Sequence, residues 1–221
     1  MIKVNAGIDP LLRRPFSLSC IRKKEFEIIY ELVGKGTQIM SEMKNGEEVD
    51  LLGPLGYGFT IKKGIKKAVL AAGGIGVAPL RALGERLKGK ADITIYLGAK
   101  NASGLLSVKD FEALGKVIVV TEDGTAGFRG KVTDIIERDL NASNPSLHLF
   151  SCGPHLMLKK ISEFAQREGL PCQVSLEAYM GCGIGACLGC AVKVRIGKEE
   201  FAYRRVCTDG PVFESSLVVW E

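Results

Sequence analysis

The chain has 221 residues, of which 46% are hydrophobic, and its 30 lysines and arginines against 25 acids give a net charge of +5. This length and apolar content suffice for one large or two smaller packed domains, and the longest apolar runs are far shorter than the ~20 residues of a membrane-spanning helix. The basic residues occur mostly as short pairs without interleaved aromatics, a pattern typical of a solvated surface and not of a nucleic-acid interface.

The first sixty residues are predicted to form short β-strands. Runs rich in β-formers occupy 17–21, 25–33 and 48–52, and charged or glycine-proline turns separate them. Residues 38–44 are long enough for two turns of helix, for which Thr37 is the expected N-cap.

Two segments of this region favour a ligand site. Arg14, Phe16 and Ser17 place a guanidinium, an aromatic ring and a hydroxyl on one extended stretch, and Gly34 and Gly36 open the short helix with free amides that suit an anion. An ordinary strand pair beside a capped helix is the competing interpretation, because such short motifs arise often by chance.

The pattern changes near residue 62, where strands begin to alternate with helices. Strand-like runs at 68–72, 93–97, 117–120 and 147–150 are separated by helical segments, including one at 132–140 and one around 156–165 that stops before Gly169 and Pro171. Pro79 fits the first turn of another helix. Such alternation is typical of a parallel α/β sheet.

Glycine-bearing turns follow the first and the last of these strands. Gly73, Gly74 and Gly76 come after the first, and Gly153 and Pro154 come after the last. Ligands of open parallel sheets bind at the carboxyl ends of the strands, so a nucleotide pyrophosphate fits here. The turns match neither G-x-G-x-x-G nor a Walker loop, and purely structural turns are the alternative. Residues 121–130 either border this nucleotide site or simply connect two elements.

The most informative stretch is 179–207, which holds four of the seven cysteines. Cys182, Cys187 and Cys190 follow the C-x4-C-x2-C spacing of plant-type [2Fe–2S] proteins, and Cys207 supplies a fourth thiolate. The intervening glycines predict positive φ angles and free amides around the cluster; they are Gly181, Gly183, Gly185 and Gly189. A zinc site would more often show two C-x-x-C pairs, and a disulfide is the weakest alternative.

The other cysteines are expected to be structural. Cys20 and Cys172 are predicted to be buried free thiols. An odd number of cysteines and the lack of a signal peptide indicate a reducing, cytoplasmic compartment. Neither His148 nor His155 has sequence neighbours that would give it a catalytic role, so no acid, base or nucleophile is assigned.

With these motifs in place, the chain resembles the electron transfer subunits of class 1B dihydroorotate dehydrogenase, a family of the ferredoxin–NADP reductase superfamily, over essentially its whole length. The narrowest match is residues 180–190 together with 205–213, which read MGCGIGACLGC and RVCTDGPVF. The flavin and nucleotide motifs are shared more widely across the superfamily.

The resemblance implies three cofactors. FAD would be held by residues of the first region, namely Arg14, Pro15, Phe16, Ser17, Tyr30, Glu31, Leu32, Gly36 and Thr37. NAD would lie against the two glycine turns, at Gly73, Gly74, Gly76, Cys152, Gly153 and Pro154. The [2Fe–2S] ligands would be Cys182, Cys187, Cys190 and Cys207.

It also implies a fold of mixed α/β and β type with three units. These are an incomplete, N-terminally shortened flavin-binding β-barrel in 1–61, a parallel α/β nucleotide-binding domain in 62–170 and a small [2Fe–2S] domain in 171–221. Members of the family begin with further barrel strands, and residues 1–4 look like the end of one already under way. An internal start or a fragment is therefore expected.

The implied function is electron transfer from the FMN of a separate catalytic subunit, through the [2Fe–2S] cluster and FAD, to NAD+ in pyrimidine biosynthesis, within a heterotetramer of two subunits of each kind. A flavin reductase with another partner, of sulfide dehydrogenase or ferredoxin:NADP oxidoreductase type, is the nearest alternative. A metal-binding module without turnover is another, and the choice between NAD and NADP stays open.

Overall fold

The structure, a computed structural model, describes residues 1–4, 7–140, 146–197 and 200–220. Its strands are β1 (Ile2–Lys3), β2 (Leu18–Ile21), β3 (Phe26–Ile28), β4 (Asp50–Leu51), β5 (Lys67–Gly73), β6 (Asp92–Ala99), β7 (Lys116–Thr121), β8 (Phe128–Arg129), β9 (Leu147–Cys152), β10 (Cys172–Ser175), β11 (Ala191–Arg195), β12 (Phe201–Arg205) and β13 (Val212–Glu214). Its helices are α1 (Lys35–Glu42), α2 (Val77–Leu87), α3 (Val108–Glu112), α4 (Val132–Asp139) and α5 (His155–Arg167).

A seven-stranded sheet forms the centre of the molecule. Its spatial order is β13-β10-β9-β5-β6-β7-β8, in which β13 is antiparallel to β10 and the other neighbours are parallel. The carboxyl ends of β5, β6, β7 and β9 therefore meet at one edge, as the alternating pattern predicts. The sheet continues beyond residue 170, because β10 and β13 both belong to it.

Each face of this sheet packs against its own core. On one face, Val69 and Ala71 of β5 pack in a core shared with α4, α5 and the cysteine-rich region. On the other face, the alternate residues Ala68, Leu70 and Ala72 pack against α2 and α3. Strands covered on both faces are nearly continuous apolar runs, which is why the sequence shows no alternation there.

The first region consists of two short antiparallel pairs, β1 with β4 and β2 with β3. All three predicted strands exist here, but β3 and β4 are shorter than the runs 25–33 and 48–52. Helix α1 begins at Lys35, three residues before the predicted start, and its N-cap is Gly34. The expectation that Thr37 is the N-cap is wrong: Thr37 is the third helical residue, and its hydroxyl accepts hydrogen bonds from the amides of Val33 and Gly34.

The cysteine-rich region joins the central sheet to an antiparallel hairpin. This hairpin is formed by β11 and β12, and its inner residue Val194 is buried in the core on the α5 side of the sheet. The amide of Tyr57 donates to the Gly210 carbonyl at 2.6 Å, so this region also contacts the linker that follows β4. Among the described residues, no helix has both the length and the apolar composition to cross a membrane.

Candidate functional site

The four predicted ligand cysteines form two hydrogen-bonded pairs. The amide of Cys187 donates to the sulfur of Cys182 at 3.4 Å, and the amide of Cys207 donates to the sulfur of Cys190 at 3.5 Å. In the described part of the chain, no three cysteine, histidine or acidic side chains surround a single point as ligands of one metal ion would. Pairs of thiolates are what a two-iron cluster requires, and the donor set therefore fits [2Fe–2S].

The two pairs differ in environment. Cys190 and Cys207 are buried, and burial raises the pKa of the Cys207 thiol, with the adjacent Cys190 adding to the shift. Cys187 is exposed and Cys182 is half-buried. Amide hydrogen bonds, chiefly from Cys187, lower the pKa of Cys182 to about 6, which favours the thiolate that a metal binds. One side of the site therefore faces the core and the other faces solvent.

The loop around these sulfurs takes its shape from residues in the left-handed region. Gly183 and Gly185 have φ angles of +75° and +81°, and Leu188 adopts +57° without being a glycine. The prediction of positive φ is wrong for Gly181 and Gly189. An added Cβ at these two positions would lie 3.4 Å and 3.6 Å from the Cys187 sulfur, in ordinary contact.

Arg205 ties the loop to the segment that carries the fourth cysteine. Its guanidinium donates to the Gly185 carbonyl at 3.2 Å and to both carboxylate oxygens of Asp209 at 3.3 Å, and its amide donates to Asp209 at 2.8 Å. The sequence interpretation gave these two residues no role. Opposite charges four residues apart, on either side of Cys207, are the signal that would have identified them.

The cluster loop also contacts the first region of the chain. A Cβ added to Gly183 would lie 3.1 Å from Cδ1 of Leu55, and one added to Gly56 would lie 2.2 Å from the Gly210 carbonyl oxygen. Tyr57 forms an isolated bridge with Pro211. The loop that carries the cysteines is thus packed directly against the unit in which the flavin residues were predicted.

Within that unit, the structure brings together the predicted flavin residues from three separate segments. The rings of Phe16 and Tyr30 lie 5.8 Å apart in an edge-to-face arrangement. The side chain of Arg14 lies over the start of α1, where a Cβ on Gly36 would be 2.5 Å from its Nε. Because Gly36 has no side chain, a pyrophosphate can approach the amides of the helix N-terminus while the Arg14 guanidinium neutralises its charge. The residues therefore fit FAD.

The other predicted flavin residues occupy the open rim. Pro15, Ser17, Glu31 and Leu32 are exposed, and Leu32 keeps 60% of its surface accessible. Thr37 is buried, and its hydroxyl also donates to the carbonyl of Gly34, so its side chain holds the start of α1 together.

The two predicted nucleotide turns interlock at the carboxyl edge of the sheet. A Cβ on Gly76 would lie 2.1 Å from the Cys152 carbonyl oxygen, and one on Gly153 would lie 2.9 Å from the amide nitrogen of Gly73. Helices α2 and α5 begin directly after these turns, and Pro154 is the N-cap of α5. Two helix N-termini beside close-packed glycine backbone form a site that fits the pyrophosphate of a dinucleotide.

Cys152 contributes backbone to this edge, while its side chain points into the core. The residue is 2% exposed, and burial raises the pKa of its thiol to about 12. The thiol is therefore neutral at physiological pH. Cys20 and Cys172 are buried as predicted.

Comparisons with known proteins agree with this arrangement. Residues 177–219 match the family model of the iron-sulfur cluster binding domain of dihydroorotate dehydrogenase B. The chain is 41% identical to the dihydroorotate dehydrogenase B (NAD(+)) electron transfer subunit of Desulforamulus reducens, over 96% of this chain and 82% of that protein. It is 42% identical to the corresponding subunit of Caldanaerobacter subterraneus subsp. tengcongensis, over 95% of this chain and 81% of that one.

Solved structures give the same fold. The NADH-dependent reduced ferredoxin-NADP oxidoreductase structure superposes with a TM-score of 0.72 at 29% identity, over 93% of this chain and 78% of the other. The ferredoxin-NADP+ reductase of Plasmodium falciparum superposes with a TM-score of 0.57 at 19% identity, over 75% of each chain, and shows the fold alone. The predicted fold class is confirmed, and the chain belongs to the family of dihydroorotate dehydrogenase B electron transfer subunits.

Proposed function

We propose that this chain carries electrons from a catalytic dihydroorotate dehydrogenase subunit to NAD+, in pyrimidine biosynthesis. The oxidoreductase class and the electron transfer role are those of the family to which the chain belongs. We further propose that the catalytic partner contains FMN, that two copies of each subunit form a heterotetramer, and that the complex is cytoplasmic.

The cofactors of this subunit are [2Fe–2S], FAD and NAD. An iron–sulfur cluster carries single electrons, a flavin converts between one- and two-electron chemistry, and NAD accepts a hydride. The side chains of this chain accordingly need to hold, space and tune these groups, and none is assigned as acid, base or nucleophile.

The observation that carries this proposal is the position of the cysteine loop between solvent and the flavin unit. Its outer rim exposes Tyr179, Ile184 and Leu188, each with more than 60% of its surface accessible, while its inner side lies close to Leu55 at Gly183. An apolar rim of this kind suits the docking of a partner protein. A cluster held here would receive electrons on one side and release them on the other.

The site assignments follow from the same arrangement. Cys182, Cys187, Cys190 and Cys207 would ligate the cluster. Arg14, Gly36 and Thr37 would hold the FAD pyrophosphate, and Pro15, Phe16, Ser17, Tyr30, Glu31 and Leu32 would line the ring and ribityl chain. Gly73, Gly74, Gly76, Cys152, Gly153 and Pro154 would hold NAD.

We also propose that these assignments define three units, a flavin unit in 1–61, a nucleotide unit in 62–170 and a cluster unit in 171–221. The short antiparallel pairs, the parallel strands and the β11–β12 hairpin support this division. Strands β10 and β13 connect the last two units through the shared sheet.

The test is an anaerobic visible spectrum of the purified chain, with iron, sulfide and flavin quantified on the same sample. We expect about two irons, two sulfides and one FAD per chain, together with bleaching of the flavin on addition of NADH. Zinc in place of iron, with no visible colour, would refute the proposal and favour a binding module.

A second candidate is a reductase that serves another electron partner, and the similarity to the reduced ferredoxin-NADP oxidoreductase structure favours it specifically. Mixing the loaded chain with the catalytic subunit, dihydroorotate and NAD+ separates the two. NADH formation supports the dihydroorotate dehydrogenase role. No response to dihydroorotate, together with reduction of added ferredoxin in a parallel assay with NADPH as the electron donor, supports the alternative.

A further inference from the structure

An arginine outside the predicted binding residues joins the flavin unit to the nucleotide unit. Arg81 lies on α2, five residues after Gly76 of the nucleotide turn, and its side chain is only 12% exposed. Its Nη1 donates to Oε2 of Glu27 at 2.7 Å and to the hydroxyl of Ser19 at 3.4 Å. Its Nε lies 3.6 Å from Oδ2 of Asp110 on α3.

The strands that Arg81 contacts are those that carry the two flavin segments. Ser19 is in β2, which follows directly after residues 14–17, and Glu27 is in β3, which ends two residues before Tyr30. Helix α2 begins at the turn in which Gly73, Gly74 and Gly76 were assigned to NAD. One guanidinium therefore contacts elements that carry both proposed cofactor sites.

The shape of β2 directs two consecutive side chains toward α2. Leu18 pairs with Ile28 while Cys20 pairs with Glu27, so Ser19 is the extra residue of a β-bulge. In a regular strand, neighbouring side chains point to opposite faces, but here Ser19 and Cys20 are both fully buried.

Helix α2 presents a matching polar row to this bulge. Arg81 and Glu85 are four residues apart and lie on one helix face. Arg81 contacts Ser19, and the sulfur of Cys20 donates to Oε2 of Glu85 at 3.5 Å. Apolar side chains of α2 pack in the core on this side of the sheet, and these polar contacts add a fixed register between strand and helix that apolar packing alone defines less closely.

We propose that Arg81 is a positioning residue that sets the spacing between the flavin and nicotinamide rings. The inference rests on the proposed function, since it requires FAD on the β2–β3 side and NAD at the start of α2. Hydride transfer requires reacting atoms about 3–3.5 Å apart, and a misplacement of about 1 Å can slow a reaction by about a hundredfold. A junction that holds two separately bound rings thus controls the rate without touching either one.

The test compares Arg81→Gln, Glu27→Gln and the double variant with the unmodified protein carrying its cluster and flavin. Arg167→Gln is the matched control, because Arg167 forms ion pairs with Glu137 and Glu168 on the outer surface of α4 and α5. Rapid mixing with NADH gives the limiting rate of flavin reduction and the Kd for NADH. The long-wavelength absorbance of stacked nicotinamide and flavin rings is recorded on the same samples.

We expect Arg81→Gln to lower the limiting rate at least about tenfold and to weaken the stacking absorbance, with flavin content and NADH Kd within about twofold of the unmodified protein. Glu27→Gln should act in the same direction, and the double variant should add little, because both changes break one bridge. Arg81→Lys should restore part of the rate, since it keeps the charge but loses the planar fork of donors.

An unchanged limiting rate in Arg81→Gln with flavin bound would overturn the proposal, as would an equal fall in Arg167→Gln. If Arg81→Gln loses its flavin, Glu27→Gln decides: a normal rate and a normal absorbance band there would overturn it. A flavin that NADH does not reduce even in the unmodified protein would instead refute the proposed function.

Discussion

The cluster loop and the nucleotide edge both combine cysteine with glycine, but they are stabilised in different ways. The loop has little regular structure, and sulfur, amide and arginine contacts hold it between exposed residues and the core. The nucleotide edge is the end of a parallel sheet that is buried on both faces. Its two turns lie so close together that the backbone leaves no room for a Cβ at Gly76. Removal of a cysteine thiol should therefore damage the cluster loop selectively, and addition of a side-chain atom at a glycine should damage the nucleotide edge selectively.

The largest effect is expected for Cys187→Ser. A serine hydroxyl is a poor replacement for the thiolate that an iron–sulfur cluster needs, so bound iron should fall almost to zero. Electron transfer from the catalytic subunit should stop, while NADH-dependent reduction of a dye through FAD is retained, because the contacts described for Cys187 lie within the cysteine loop. Iron analysis and the two assays check this.

Cys172→Ser is the matched control, since it removes the same atom from a buried cysteine that lies outside the loop. It should leave the iron content unchanged. An equal loss of dye reduction and partner-linked activity in Cys187→Ser would show that the two regions are not separable in this way.

Gly76→Ala is expected to have the opposite effect, with weaker NADH binding and an intact cluster. Its new Cβ would lie 2.1 Å from the carbonyl oxygen of Cys152, and backbone on both sides would have to move. We expect a loss of about 1–3 kcal/mol in the free energy of unfolding and at least about a tenfold weaker binding of NADH, with the iron content retained. Thermal unfolding and an NADH titration measure both effects.

Gly58→Ala provides the control for this change. Its added Cβ would meet no atom within 4 Å, and its φ is not in the left-handed region. NADH affinity equal to that of the unmodified protein in Gly76→Ala would contradict the assignment of the turn to the nucleotide.

A smaller effect within the cluster loop is expected for Arg205→Gln. The variant loses the bond to the Gly185 carbonyl and the pair with Asp209, which is partly exposed and therefore weak in itself. Residues that orient metal ligands commonly change metal affinity by about tenfold or more. Iron release to a chelator should accelerate about three- to tenfold, and Arg204→Gln at the exposed neighbouring position should leave it unchanged.

How far the sequence predicts each region follows from the same contrast. The cysteine spacing is local, so the proposed cluster ligands can be predicted from a segment of 26 residues, from Cys182 to Cys207. The parallel strands are also legible, because buried apolar runs alternate with helical periodicity. The close approach of Gly76 to Cys152 cannot be predicted in this way, since it depends on β5 and β9 becoming neighbours although 73 residues lie between the end of β5 and the start of β9.

The junction through Arg81 was missed for a related reason. A single arginine on a helix is usually a solvated residue, and the contacts of Arg81 with Ser19 and Glu27 arise only when two units pack together. The bulge in β2 turns the buried Ser19 toward Arg81. No sequence signal predicts this bulge, because it adds only one small residue to the strand. The start of α1 was also predicted wrongly from sequence. Thr37 is the third helical residue and not the N-cap, because the helix begins three residues earlier than its apolar pattern indicates.

The smallest effect concerns Glu177, which lies in the segment between the sheet and the cluster loop. Partial burial, and secondarily the nearby charge of Glu31, raise the pKa of its carboxyl above the ordinary 4.5. The folded protein therefore binds this proton more tightly than the unfolded chain does, so ionisation costs stability as the pH rises above 4.5. Glu177→Gln removes this cost and should raise the Tm by about 1 °C at pH 8, a modest change because the side chain is still solvent-accessible.

The difference in Tm between Glu177→Gln and the unmodified protein should shrink as the pH is lowered through the raised pKa of Glu177, and it should vanish below 4.5, where the carboxyl becomes protonated in both states. Glu163→Gln, on the exposed surface of α5, provides the comparison for a carboxylate far from the segment. A lower Tm for Glu177→Gln than for the unmodified protein at pH 8, with a gap that closes on acidification, would instead mean that the ionised Glu177 stabilises this segment. The ionised carboxylate would then help to hold the segment between the central sheet and the cluster loop in place.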